Sequence, residues 1–165
     1  MTEKLSKGEI AKRYFESGYN CSQSILLAFG EETGLDPAMA ARLSSSFGGG
    51  MARLREVCGS VSGIFMVAGL LYGYDNPRDY EGKKEHYARI QELAGTFRSQ
   101  NGSIVCRELL GLDHRQDEAA PSRRTEEYYR KRPCGELIRQ AGDIMEAYLK
   151  AHPVSTEDEA GKELK

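Results

Sequence analysis

Between Val57 and Tyr74 the chain carries no charged side chain. A run of that length has to be hidden, either in a protein core or in a lipid bilayer. A membrane-spanning helix needs about twenty predominantly apolar residues. This run contains Cys58, Ser60, Ser62 and four glycines, which suits a buried core helix instead. The expected helix starts near Val57 or Cys58 and ends at about Tyr72. Gly59, Gly63 and Gly69 would each cost about 1 kcal/mol relative to alanine in its interior. Glycine in such places lets another backbone or a ligand come close.

The rest of the chain then has to cover that helix, and its pattern is helical throughout. Ser6 with Glu9 forms a capping-box signature for a helix ending at Ser17 and Gly18. Asn20 is a cap for "CSQSILLAFGEETG", with Ile25, Leu26 and Phe29 on one face and Gly34 as its stop. Asp36 and Pro37 start a third helix, with Met39, Ala40 and Leu43 as its apolar stripe. "FGGGM" reads as a turn, since it lacks the lysine and setting of a phosphate loop. Tyr87, Ile90, Leu93 and Phe97 mark a long amphipathic helix over about Arg78 to Ser99. Ser103 caps a short helix closed by Gly111. A polar loop follows from Leu112 to Arg124, then a short helix over Thr125 to Lys131. The last helix has Pro133 in its first turn. Its apolar face carries Leu137, Ile138, Ala141, Ile144, Met145, Tyr148 and Leu149. The expected fold is an all-α bundle of about six helices without significant sheet. The 165 residues suit a single domain, here residues 1–150. The polar stretch 151–165 reads as a disordered tail.

Charge and composition narrow the function. A net charge of -2 supplies no basic field for nucleic acid. No apolar signal run follows the charged N-terminus, so the expected location is cytoplasmic and no stable membrane insertion is expected. The cytosol keeps thiols reduced, which places metal binding, redox cycling or burial ahead of structural disulfides. His86, His114 and His152 are scattered without ligand spacing. "KGEIAKR" and "RRTEEYYRKR" read as solvated helix faces, and Tyr128 with Tyr129 is placed to cover a site or simply to pack on the surface.

The four cysteines, Cys21, Cys58, Cys106 and Cys134, fit neither zinc-finger nor CxxC spacing. Each nonetheless falls in the first turn of a predicted helix. Unpaired N–H groups and the helix dipole stabilise a thiolate there. Arg53, Arg55, Arg107 and Arg132 stand near three of them and act in the same direction.

The flanks of these cysteines resemble the C_GCAxxG_C_C family of redox-active proteins, small helical proteins with four cysteines and a CGAxxG motif. The resemblance runs through "YNCSQSILLAFGEETGLD", "SSFGGGMARLREVCGSVSG", "NGSIVCRELLG" and "RPCGELIRQA". It covers roughly Tyr19 to Leu149, with Leu112 to Arg132 the least informative part. It implies that Cys21 is the first family cysteine, that Cys58, Gly59 and Gly63 belong to the motif, and that Cys106 and Cys134 are the last two. Ser60 stands where the family has alanine, and its hydroxyl is able to donate to a nearby sulfur.

Three functions fit. The first is thiol–disulfide redox chemistry, a thiol–disulfide oxidoreductase if enzymatic. Here Cys58 is the expected attacking thiolate. The partner is a redox protein or small thiol. Four cysteines allow three full pairings, of which Cys21 with Cys58 is preferred, because their helices are close in sequence. The second is a zinc or iron–sulfur centre held by Cys21, Cys58, Cys106 and Cys134. The third is a non-enzymatic helical binding module with buried cysteines. Gly59, Ser60 and Gly63 are the candidates for contact with a bound group. A glycine-faced apolar helix is also compatible with a homodimer.

Overall fold

The structure, a computed structural model, describes residues 3–154. The predicted tail lies outside the described residues from 155 onward, and Ala151 itself closes the last helix. In chain order the helical segments are α1 (Lys7–Glu16), α2 (Cys21–Ala28), α3 (Gly30–Thr33), α4 (Pro37–Ser44), α5 (Gly48–Met51), α6 (Gly59–Tyr72), α7 (Tyr80–Asn101), α8 (Cys106–Leu109), α9 (Glu126–Lys131) and α10 (Cys134–Ala151). A single 3-10 turn, Ser45–Phe47, joins α4 to α5. α5 is helical only in its hydrogen bonding, because Gly49 and Gly50 are left-handed. That leaves nine right-handed helices among the described residues, not about six. Part of the difference is α3, which the sequence pattern merges with α2 and the structure separates at Phe29; the rest comes from short helices such as α8, which were expected but add little to a bundle.

α6 is the hub. Val61, Ile64, Val67 and Ala68 are fully buried, and α2, α7 and α10 pack around it. α1 lies across α2 and α10, and contributes Ala11 and Phe15 to the same core. Ile25, Leu26 and Phe29 share one buried face as expected, as do Leu137, Ile138, Ala141, Ile144 and Met145. Each large side chain so buried contributes about 1.5–3 kcal/mol relative to exposure. Two stripes are less buried than their spacing predicts. In the α4 stripe only Ala40 is buried, while Met39 and Leu43 are exposed. On α7 Leu93 and Phe97 enter the core, whereas Tyr87 projects beyond it.

The glycines of α6 divide by depth. A Cβ on Gly63 would stand 2.6 Å from Ile25 Cβ, and one on Gly59 3.0 Å from Cys21 Cβ. α2 is therefore seated directly against the α6 backbone. Gly69 faces open space, so the close approach predicted for it does not occur.

The caps set where these helices begin. Ser6 with Glu9 and Asn20 with Gln23 form complete capping boxes, and Asp36 accepts from the Met39 N–H ahead of α4. The start of α8 differs from expectation. Val105 is its cap, and Ser103 Oγ accepts from the Val105 N–H one step earlier. Pro133 likewise sits at the cap of α10 rather than inside its first turn.

Candidate functional site

The four cysteines occupy four helix starts. Cys21, Cys106 and Cys134 are the first residues of α2, α8 and α10, and Cys58 is the cap of α6. All four line one cavity of about 280 Å³. Cys58 and Cys106 are buried, and Cys21 and Cys134 are half-buried. Local backbone contacts bring these starts together. The Cys58 N–H donates to the Ile104 carbonyl at 2.8 Å, and the Cys106 N–H donates to the Glu56 carbonyl at 2.6 Å. These bonds flank an isolated antiparallel bridge between Val57 and Val105. It fixes the register of α6 against α8.

The wall between them is unusual. Gly49, Gly50, Met51, Ala52 and Arg53 all have φ between 53° and 68°, and Arg55 has φ 60°. The chain makes a left-handed turn here, closed by the Ala52 N–H donating to Gly48 O at 2.9 Å. Each non-glycine residue held this way costs about 1–2 kcal/mol. The turn gives tight packing in return. A Cβ at Gly50 would lie 2.5 Å from Cys106 Cβ, and one at Gly48 2.3 Å from Asn20 Cγ. It also aims the Gly49 N–H at the Cys21 sulfur, a concave arrangement of backbone donors that favours an anion.

The dipole argument predicts a depressed pKa for every cysteine, and only one follows it. The Cys134 thiol, donating to Cys21, is the main reason the Cys21 pKa falls to about 6. Burial opposes the shift, and the N–H groups of Gly49 and Cys21 and the charge of Arg124 support it. The same hydrogen bond holds the proton on Cys134 and pushes its pKa far up. Burial pushes Cys58 up to about 12, and the neighbouring Cys21 charge adds to it. The Ser60 hydroxyl, 3.0 Å from Cys58 Sγ, works the other way without winning. Burial also raises Cys106, against the Arg55 guanidinium 3.6 Å from its sulfur. Desolvation outweighs the end of a helix at the two buried sites. The lowered pKa expected of Cys58 is therefore found at Cys21 instead.

Among the proposed contact residues, Gly59 and Ser60 line the cavity. Gly63 does not, because Ile25 fills its space. Of the four arginines named from sequence, Arg53, Arg55 and Arg132 line the cavity. Arg107 instead pairs with Glu56 at 3.1 Å. Arg124, read from sequence as part of the solvated face "RRTEEYYRKR", lines the cavity instead. Its guanidinium stacks on Phe15 at 4.4 Å and donates to the carbonyls of Phe15 and Tyr19, each at 3.2 Å. That places a cation beside the start of α2. Asp117 was missed. It pairs with Arg55 at 2.7 Å and with His114 at 2.7 Å, so His114, although exposed, belongs to a network. His86 too has partners, Arg89 at 3.3 Å and the Tyr74 ring.

Among the described residues no group of three or more His, Cys, Asp or Glu side chains has the arrangement of a metal site. The four thiols share a cavity wall without forming the ligand set that the zinc or iron–sulfur alternative requires. No described helix is long and apolar enough to cross a membrane.

The pattern that defines the family described as "Putative redox-active protein (C_GCAxxG_C_C)" matches residues 19–148. No curated protein and no solved structure matches the chain.

Proposed function

The chain belongs to the C_GCAxxG_C_C family of redox-active proteins, and on that premise we propose that it performs thiol–disulfide exchange with Cys21 as attacking thiolate and Cys134 as resolving thiol. The observation that carries this reading is that all four cysteines stand at helix starts around one cavity, with Cys21 and Cys134 the two that are half-buried; the Cys134 thiol beside Cys21 lowers its pKa to about 6. A thiolate is the nucleophile in such exchange, and a pKa close to ambient pH combines ionisation with good nucleophilicity. Cys21 attacks one sulfur of a disulfide and expels the other as a thiolate. Cys134 then attacks the mixed disulfide at Cys21 and releases the second substrate thiol. The substrate gains two electrons, and the protein retains a Cys21–Cys134 disulfide. Cys58 and Cys106 stay protonated behind the pair. A reducing compartment such as the cytosol suits this role, since it keeps the four thiols free between turnovers.

Mass spectrometry of anaerobically purified protein, before and after mild oxidation, tests this. The expected result is a reversible loss of two protons and a single crosslinked peptide pair containing Cys21 and Cys134. Four thiols that remain unreactive until unfolding would refute it. A mass increment of zinc or a cluster, lost in Cys58→Ser, would move the function to a metal centre.

A further inference from the structure

The cavity in front of Cys21 is lined by Arg53, Arg55, Arg124 and Arg132 and by no aspartate or glutamate. Only Arg55 has a carboxylate partner, Asp117. Arg53, Arg124 and Arg132 enter no ion pair among the described residues. Arg53 is held by the Glu118 carbonyl at 2.7 Å, and Arg132 lies 5.0 Å from the centre of the Tyr128 ring. Carbonyls and rings orient a guanidinium without neutralising it. Against four positive charges stand Asp117 and the Cys21 thiolate, so the cavity keeps an excess of positive charge.

A second observation points to a ligand. Arg55 is 2% exposed, yet its Nη2 has no hydrogen-bond partner. A buried donor left unsatisfied costs about 1–3 kcal/mol. Its neighbour Nη1 reaches the Cys106 sulfur, so the guanidinium stands at the thiol end of the cavity. The volume, about 280 Å³, lies at the lower edge of the range for small-molecule sites.

We propose that this cavity takes a small anionic disulfide, a low-molecular-weight molecule bearing carboxylates, whose acid group sits among Arg55, Arg124 and Arg132 while its sulfur faces Cys21. The proposal rests on the redox reading above and adds the substrate class. The balance for one turnover is simple. One anionic disulfide, the Cys21 thiolate and the Cys134 thiol become two anionic thiol products and one protein disulfide; the Cys134 proton passes to one product, and the other leaves as a thiolate that takes its proton from water.

Three disulfides of similar size test it on the reduced full chain at low salt: 3,3′-dithiodipropionate, 2-hydroxyethyl disulfide and cystamine. They carry negative, no and positive charge. The expected single-turnover rates fall in that order, with the dianion at least tenfold ahead of the neutral compound. A simple thiolate in solution shows the opposite charge preference. In Arg132→Gln the ratio of dianion to neutral rates falls at least threefold, and Arg132→Lys restores part of it. Taking a ratio cancels any change in thiol reactivity. Equal rates in the unaltered protein overturn the substrate class and leave the redox pair intact. Suberate, the carbon analogue of the dianion, supplies a readout without redox chemistry. If no disulfide reacts but suberate binds and Arg132→Gln weakens it, the anion cavity stands and the exchange reading falls. If no disulfide reacts and suberate does not bind, both fall.

Discussion

Replacing Cys134 by alanine removes the group that contributes most to the ionisation of Cys21. The drop from 9.0 to about 6 corresponds to roughly 4 kcal/mol in favour of the thiolate, at about 1.4 kcal/mol per pKa unit. A hydrogen bond to a charged acceptor contributes about 1.5–3 kcal/mol of that. Its loss takes the thiolate fraction at pH 7 from about nine-tenths to between roughly a half and a fifteenth. The assay is the rate of iodoacetamide alkylation at Cys21 as a function of pH, read from the modified peptide by mass spectrometry. In the unaltered protein the rate rises with a midpoint near pH 6. In Cys134→Ala the midpoint moves up by a pH unit or more. In Cys134→Ser it moves less, because a hydroxyl also donates. That contrast separates hydrogen bonding from packing. An alanine variant with an unchanged midpoint, or an unaltered protein titrating near the free-cysteine value of about 8.5, refutes the reasoning.

Two further outcomes follow from the same geometry. The folded-state pKa of Cys21 lies below its unfolded value, so its contribution to stability grows as pH rises from about 6 toward about 8.5 and is lost as pH falls through 6. Urea midpoints between pH 5.5 and 8.5 are therefore expected to rise more in the unaltered protein than in Cys21→Ser. Gly63→Ala is expected to destabilise by about 1–3 kcal/mol, because its Cβ meets Ile25. Gly69→Ala, which meets nothing within 4 Å, is expected to stabilise by about 1 kcal/mol. Thermal unfolding shows both, and similar losses in the two variants would contradict the placement of α2 on α6.

Much of this architecture was legible in the residues. Capping chemistry is local, so Asn20 and the Asp36–Pro37 pair marked helix starts that the structure keeps. The placement of all four cysteines at such starts was legible for the same reason. What each thiol does there was not. The contrast between Cys21 and Cys58 depends on burial and on the Cys134 hydrogen bond, which link positions far apart in the chain. Arg124 belongs to a stretch without periodicity, so nothing local tied it to α2. The left-handed run was legible only at its start, where "FGGGM" reads as a turn; its continuation was not, because Met51, Ala52, Arg53 and Arg55 are residue types that rarely adopt positive φ.

That run bears on how fast the site works as well as on its shape. A donor that has to swing into place during a reaction adds its own rearrangement to the barrier, and a donor fixed beforehand does not. The Gly49 N–H is held on a backbone stretch whose conformation is set once, as the chain folds. The positive φ angles from Gly49 to Arg53 thus act as preorganisation. Their strain is a feature of the resting protein, and in the proposed exchange the sulfur that the Gly49 N–H faces would change charge and bonding partner without requiring the wall around it to move.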